Sequence, residues 1–261
     1  MVLPIHDVNP TRRTPVVTYL LIAVNVVVFL LSPVVTHVVG TSALVQECRQ
    51  IAFFDQYAAK PDELIHNRQD PTGVTGEVGR SHGRVGCVAQ HPPPYNKTPF
   101  LSVLYAMFLH GGWLHLLGNM LFLFVFGNNI EDRLGRLTYL GFYLFCGYAA
   151  TYGFALFQPD STQPLVGASG AIAGVLGAYL VLFPRAKVWS LLTFFFFLPV
   201  RLPAWLVLGS WFLLQYGFAR GAGVAAGSGV AYWAHVIGFA VGAVLVWNLR
   251  GTAVRPRHSS R

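Results

Sequence analysis

Long apolar runs separated by short polar stretches dominate the chain and predict a series of membrane-spanning helices. A spanning helix needs about 20 residues. Two further apolar stretches are not interpreted as spans: 100–109 is too short to cross and is expected in the plane of the membrane surface, and 188–200, which ends among prolines, is expected to form a hairpin or re-entrant piece. The six predicted spans cover residues 16–39, 113–129, 139–157, 169–183, 203–218 and 232–249.

The composition excludes a soluble globule and a disordered chain. Hydrophobic residues fill 54% of the 261 positions and charged residues 11%, whereas an ordinary soluble domain carries roughly 25% charged residues. The net charge of +8 is compatible with nucleic-acid binding, but 12 of the 28 charged side chains lie in 40–97 and nine in 98–249. Because one charge at the bilayer centre costs about 2.5–3.5 kcal/mol, we expect 98–249 to lie in a membrane and no nucleic acid to bind.

The distribution of Lys and Arg predicts that both chain termini face the cytoplasm. With six spans, the inner segments carry eleven Lys and Arg residues, whereas the short outer loops carry Arg220 alone. The second, fourth and sixth spans then begin at the outer face, so polar groups in their first turns can meet. The predicted organisation is a cytoplasmic tail (1–15), a first span (16–39), an extracytoplasmic insertion (40–97), a membrane core with five spans (98–249) and a basic cytoplasmic tail (250–261).

Each of these three spans carries polar side chains near its start. His115 and Asn119 are four residues apart on the second span and therefore share one helix face. Ser169 opens the fourth span, and His235 lies in the first turns of the sixth. Since polar groups inside a membrane face the bundle interior or a water-filled cavity, we expect these four side chains to converge. The stretch from Ser169 to Pro184 gives only about 24 Å of helix against a core of about 30 Å, so Ser169 should lie below the outer surface.

A serine hydroxyl beside an imidazole can carry out acyl transfer. Serine is a weak nucleophile that needs an adjacent base, and neutral imidazole can take its proton and return it to a leaving amine. His235 is the one candidate base on the sixth span, and no acidic residue is placed to orient it, so we predict a Ser169–His235 dyad rather than a triad. His115, Asn119 and the N–H groups that open the fourth span are expected to donate to the developing oxyanion.

Glycines are expected to bring the fourth and sixth spans together. Gly170 and Gly174 form one G-x-x-x-G face, and Gly238 and Gly242 form another, a pattern typical of close helix contacts in membranes. Each feature taken alone also has a structural explanation, because small residues pack helices and membrane histidines can bond a backbone carbonyl. The functional interpretation therefore rests on the joint pattern across three spans.

The other histidines have lesser predicted roles. His110 lies just before the second span and is expected to brace a loop. No metal site is predicted, because the histidines in or near the insertion lack metal-ligand spacing; these are His37, His66, His82 and His91.

Four stretches in this order resemble the rhomboid family of intramembrane serine proteases, over residues 98–249. They read His110…His115-Leu-Leu-Gly-Asn119, Glu131-Asp132-Arg133-Leu134-Gly135, Gly167-Ala168-Ser169-Gly170 and Ala234-His235-Val-Ile-Gly238-Phe-Ala-Val-Gly242. The resemblance implies that Ser169 is the nucleophile, that His235 is the base, and that His115 and Asn119 contribute to the oxyanion hole. It also implies a six-helix core, no cofactor, and cleavage of transmembrane proteins near the outer membrane face.

The expected protein is thus an all-α polytopic membrane protein, a six-helix rhomboid-like bundle with an extracytoplasmic insertion between its first two spans. Its expected activity is that of a serine endopeptidase on transmembrane protein substrates in the lipid bilayer. Two alternatives stay open: a non-catalytic protein that binds transmembrane helices and, less favoured, a proton-coupled transporter, for which internal repeats would be expected. The short termini without a transit-peptide pattern suggest a bacterial cell membrane.

The insertion 40–97 has no counterpart in this resemblance, and its role stays open. It is rich in turn-forming residues, and one or two helical turns are expected within 51–65. If it lies outside the cytoplasm, we hypothesise that Cys48 and Cys87 pair and stabilise it by about 3–4 kcal/mol. Cys146 lies in an apolar run and is expected to serve packing.

Overall fold

The computed structural model describes residues 2–81, 84–192, 198–221 and 231–249. The predicted basic tail 250–261 and His82 lie outside these residues. The elements in chain order are β1 (Val2–Asp7), α1 (Val16–Leu31), α2 (Ala43–Tyr57), α3 (Pro61–His66), β2 (Gly73–Ser81), β3 (Arg84–Gln90), α4 (Pro99–Ala106), α5 (Trp113–Leu134), α6 (Arg136–Phe157), α7 (Ser169–Leu182), β4 (Lys187–Leu192), β5 (Leu198–Pro203), α8 (Ala204–Ala219) and α9 (Tyr232–Leu249).

Apolar helices form the bulk of the molecule. By length and composition α5 and α6, of 22 residues each, can cross a bilayer, while α1, α7, α8 and α9 are shorter apolar helices. Contiguous apolar surface that a soluble protein would bury is suited to contact with lipid. Large apolar side chains are exposed on the outer surfaces of these helices, among them Leu20, Leu31, Leu114, Leu137, Leu156, Leu213 and Trp247.

Helix α7 occupies the centre of the bundle. Its residues from Ala171 to Tyr179 are all buried, and it packs against α5, α6, α8 and α9. Alanine and glycine supply most of these positions, which lets neighbouring backbones approach closely. The helix that begins at Ser169 is therefore held from several sides.

The first helix is shorter than the sequence pattern predicts. It ends at Leu31 rather than near residue 39. Ser32 adopts an extended conformation, its hydroxyl donates to the Phe29 carbonyl oxygen at 2.7 Å, and Pro33 follows. Proline cannot continue a helix because it lacks an N–H and clashes with the preceding turn. The apolar run therefore extends beyond the end of the helix.

The expectation of an all-α fold is wrong in one respect, because the structure also contains two small antiparallel sheets. Of the two forms expected at 188–200, a hairpin or a re-entrant piece, the structure favours the first, since β4 pairs with β5 antiparallel from Lys187↔Pro203 to Leu192↔Leu198. Strand β1 then pairs with β4 and completes a three-stranded sheet in the order β1-β4-β5. Residues 1–15, predicted to be a tail, thus include a strand, which is too short to show a pattern without its partner.

The insertion is more ordered than expected. Helix α2 has 15 residues instead of one or two turns, and β2 and β3 form the second sheet. The hypothesised disulfide is confirmed: Cys48 of α2 is bonded to Cys87 of β3. A buried ion pair joins Lys97 Nζ to Glu63 Oε2 at 2.6 Å. A polar helix shows little apolar periodicity, so the length of α2 could not be predicted from the sequence. The disulfide that attaches α2 to β3 could be predicted.

Backbone hydrogen bonds attach the insertion to the segment that leads into α7. The Leu165 N–H donates to the Ala59 carbonyl oxygen at 2.7 Å, and the Asp62 N–H donates to the Ser161 carbonyl oxygen at 3.1 Å. The insertion thereby fixes residues 158–168, the irregular backbone immediately before Ser169.

Candidate active site

Ser169 and His235, which are 66 residues apart in the chain, meet at the starts of two helices. Ser169 is the first residue of α7, and His235 is the fourth residue of α9. The serine Oγ lies 2.8 Å from the histidine Nε2, which is hydrogen-bonding distance. Both side chains are half-buried. The arrangement allows the imidazole to take the hydroxyl proton if Nε2 carries a lone pair.

Two glycine pairs set the distance between α7 and α9. A Cβ atom at Gly238 would lie 2.2 Å from the Gly170 carbonyl oxygen, and one at Gly242 would lie 2.0 Å from that of Gly174. The two G-x-x-x-G faces therefore touch backbone to backbone. Larger residues at Gly238 or Gly242 would force the helices apart and separate the serine from the imidazole.

His115 and Asn119 flank the backbone just before Ser169. A Cβ atom at Gly167 would lie 2.6 Å from His115 Nε2 and 3.5 Å from Asn119 Nδ2. Gly167 has a φ of +117°, a conformation that disfavours side chains, and its N–H donates to the Ala106 carbonyl oxygen at 2.8 Å. The structure thus brings both predicted oxyanion donors to the chain that enters α7, where the opening N–H groups of the helix have no intrahelical acceptors.

His110 contacts Asn119 rather than only bracing a loop. Its Nε2 lies 3.0 Å from Asn119 Nδ2, and its ring centroid lies 5.0 Å from that of His115. An amide nitrogen can only donate, so Nε2 of His110 accepts this bond. His110 is 1% exposed, and the bond fixes the orientation of the Asn119 amide.

Sequence reasoning missed Gln215. Its Oε1 lies 2.7 Å from His235 Nδ1, and its side chain comes from α8, a helix that carries none of the predicted site residues. The sequence-based search for a group that orients His235 considered acidic residues alone, and Gln215 is an amide. Gln215 could have been recognised from the sequence, because it is the one amide side chain in the mostly apolar stretch 203–218.

Glu131 belongs to the second of the four stretches that resemble the rhomboid family. It lies near the C-terminal end of α5, at the opposite end of that helix from His115 and Asn119. It accepts hydrogen bonds from the Val17 N–H at 2.9 Å and from the N–H and hydroxyl of Thr18 at 2.7 and 2.8 Å. These donors belong to the first turn of α1, where the unpaired N–H groups favour a negative charge. Glu131 therefore holds α1 against α5.

One cluster in the described residues has ligand atoms close enough to share a cation. Asp62, His66 and Asp160 offer atoms within 4.8 Å of one another. His66 and Asp160 are exposed, and Asp62 pairs with His66 at 3.0 Å. Exposed acidic groups commonly lie together without a metal ion, and two of these three groups are exposed.

Comparison with known proteins defines the class. A family model described as Rhomboid domain matches residues 97–252. Rhomboid protein 1, mitochondrial, of Saccharomyces cerevisiae is 34% identical over 113 residues, or 41% of this chain and 31% of that protein. RHOMBOID-like protein 6, mitochondrial, of Arabidopsis thaliana is 34% identical over 106 residues, 38% of this chain and 34% of that protein. Rhomboid-like protein 11, chloroplastic, of the same plant is 30% identical over 158 residues, which is 59% of this chain and 54% of that protein.

The chain is a helical, polytopic membrane protein. It belongs to the rhomboid family, whose members are generally serine proteases acting within the membrane. It spans about a third of the length of the first curated relatives that it matches. The expected bacterial cell membrane, with both termini in the cytoplasm, is contradicted, because these relatives carry names that place them in mitochondria or chloroplasts. The absence of a transit-peptide pattern near the first residue was too weak a basis for that expectation.

Proposed function

We propose that this protein is an intramembrane serine endopeptidase in which Ser169 is the nucleophile and His235 the general base. The 2.8 Å separation of Ser169 Oγ and His235 Nε2 carries the proposal. Two such groups on separate helices of an apolar bundle are costly to bury without a function, and membrane polar groups of this kind mark functional sites. Family membership adds the expectation of this chemistry.

The proposed reaction begins when Ser169 Oγ attacks the carbonyl carbon of the scissile peptide. The hydroxyl proton passes to His235 Nε2 as the new carbon–oxygen bond forms, and the carbonyl oxygen becomes an oxyanion. That proton then goes to the leaving amine nitrogen as the carbon–nitrogen bond breaks. Water, activated by the same imidazole, hydrolyses the acyl-enzyme and restores the serine.

His115, Asn119 and the N–H groups at the start of α7 are proposed to stabilise the oxyanion. Gly167 supports this role, since both side chains lie against it, two residues before the nucleophile. Donors aimed at developing charge are each worth about 2.7–4 kcal/mol of transition-state stabilisation. The electropositive end of a helix adds to the same effect.

The proposed membrane arrangement has six spans: α1 and α5 to α9. The segment 2–15 lies on one side and the insertion 40–97 on the other, the side from which α5, α7 and α9 begin. The Cys48–Cys87 disulfide supports placing the insertion in an oxidising compartment. Ser169 then lies near the insertion side of the membrane.

The proposed substrates are transmembrane proteins cut near that side. A helical substrate has its scissile amide hydrogen-bonded within its own helix, so cleavage requires local unwinding. We therefore propose a preference for glycine, proline or small residues close to the membrane boundary, because these weaken a helix.

The test is cleavage of a single-span reporter protein in proteoliposomes. The reporter carries Gly-Pro near the boundary, and a matched reporter carries Leu-Leu. The wild type is expected to cut the first faster than the second, and Ser169→Ala and His235→Ala to cut neither while keeping the wild-type unfolding temperature. A Ser169→Ala variant that still cleaves would refute the proposal, and a wild type that binds the reporter without cutting it would favour a non-catalytic helix-binding protein.

A further inference from the structure

Gln215 bonds the side of His235 that faces away from Ser169. Its Oε1 is 2.7 Å from Nδ1, while Ser169 Oγ is 2.8 Å from Nε2, so both ring nitrogens have one partner each. Gln215 is 8% exposed. Three helices, α7, α8 and α9, thus supply the three groups of one hydrogen-bonded chain.

A neutral imidazole carries its proton on either Nδ1 or Nε2, and its partners select which. An amide oxygen can only accept, so its contact with Nδ1 requires the proton there. Nε2 is then left with the lone pair that the Ser169 hydroxyl needs. We propose that Gln215 is a positioning residue that selects this tautomer of His235 and holds the ring within hydrogen-bonding distance of Ser169, an inference that rests on the proposed function.

The same contact persists through proton transfer. When Nε2 takes the serine proton, the imidazolium keeps its Nδ1–H on Gln215 Oε1. When Nε2 later delivers its proton to the leaving amine, the ring returns to the starting tautomer without rotating. Gln215 itself gains and loses no proton.

A neutral amide suits this place better than a carboxylate. Helix α8 is apolar around Gln215, and a charge inside the membrane is expensive unless it is paired. Trp211 lies one turn earlier on the same helix, and its ring centroid is 6.0 Å from that of His235. One face of α8 therefore supplies both an acceptor and an aromatic wall for the imidazole.

The opposite orientation of the amide would have the opposite effect. With the amide nitrogen against Nδ1, the proton would move to Nε2, which would donate to Ser169 and could not act as its base. A replacement of Gln215 that keeps a strong hydrogen-bond acceptor and one that does not therefore distinguish positioning of His235 from simple packing.

The experiment compares Gln215→Glu with Gln215→Met in proteoliposomes. Glutamate keeps an oxygen acceptor, whereas methionine keeps a similar length and offers only a weak sulfur acceptor. We expect Gln215→Met to lower kcat about 10- to 100-fold at an unchanged KM, a loss typical of removing an orienting partner, and Gln215→Glu to retain more activity than Gln215→Met. A residue that served packing alone would give the reverse order, which would overturn the proposal. The matched control is Ser210→Ala on the same helix, whose hydroxyl bonds its own backbone at Val207 and whose loss should leave kcat unchanged.

A second measurement keeps the proposal falsifiable if either variant folds poorly. Nitrogen-15 NMR of histidine-labelled wild-type protein, with His235 assigned by its absence in His235→Ala, reads the tautomer directly. We expect the proton on Nδ1 in the wild type and a mixture of tautomers in Gln215→Met. A proton on Nε2 in the wild type would overturn the role of Gln215, whereas Ser169→Ala decides separately whether the protein is a protease.

Discussion

Replacing Gly238 by alanine tests whether close packing of α7 and α9 holds the site together. The new Cβ would lie 2.2 Å from the Gly170 carbonyl oxygen, whereas carbon–oxygen contacts are normally no shorter than about 3.3 Å. Helix α9 must therefore retreat by about 1 Å, and the Ser169–His235 bond would stretch beyond hydrogen-bonding range. A misplacement of about 1 Å can cost about 100-fold in rate, and overpacking costs about 1–3 kcal/mol.

The assay is reporter cleavage in proteoliposomes, with thermal unfolding measured on the same preparations. Gly238→Ala should lower kcat about 100-fold and reduce the unfolding temperature. The control is Gly141→Ala on α6, where a Cβ meets no atom within 4 Å and both quantities should stay at or above wild-type values. Wild-type cleavage by Gly238→Ala would refute the reasoning, because it would mean that the two backbones need not touch.

Four further outcomes follow from other contacts. Asn119→Ala should lower kcat about 100- to 1,000-fold with little change in KM, in steady-state cleavage assays, if its amide stabilises the oxyanion. Glu131→Ala should cost about 3 kcal/mol because it leaves the first donors of α1 without an acceptor, and Glu131→Gln, which keeps one acceptor oxygen, should cost less; thermal unfolding measures both. Replacing Cys48 and Cys87 by serine should destabilise the insertion by about 4 kcal/mol, given a separation of 39 residues, and limited proteolysis within 40–97 should accelerate. Burial would raise the pKa of Asp55, but its bonds to Lys60, to the Tyr95 hydroxyl and to the Val74 N–H hold that pKa below its ordinary value. This stabilisation is present above about pH 4 and is lost as pH falls through the folded-state pKa; hydrogen-exchange protection factors of the insertion, which correct for the intrinsic pH dependence of amide exchange, should fall in acid, and less so in Asp55→Asn.

The residues of the membrane core were readable from the sequence because the bilayer restricts where polar groups can lie. Ser169 and His235 stood out as polar side chains near the starts of apolar helices, and the structure places them in contact. The glycine faces were equally visible, since G-x-x-x-G has one common physical use in membranes. Apolar length was a poorer guide to helix ends, because Pro33 stops α1 inside an apolar run.

The features that could not be predicted from the sequence depend on contacts between segments that are distant along the chain. Strand β1 has no pattern of its own and exists because β4 offers it an edge. Gln215 belongs to a helix on which the sequence predicts no site residue, so nothing local ties it to His235 20 residues later. Cys48 and Cys87 could be paired only by assuming a compartment, and the packing of α2 on the β2–β3 hairpin supplied the geometry.

Labelling with a fluorophosphonate probe tests most directly whether Ser169 is activated by His235. Intact-mass analysis and peptide mapping of the membrane-reconstituted protein should find one phosphonyl adduct, on Ser169, which disappears in both Ser169→Ala and His235→Ala. A folded wild-type protein that takes up no probe, or equal labelling of Ser169 in the presence and absence of the His235 imidazole, would contradict the account.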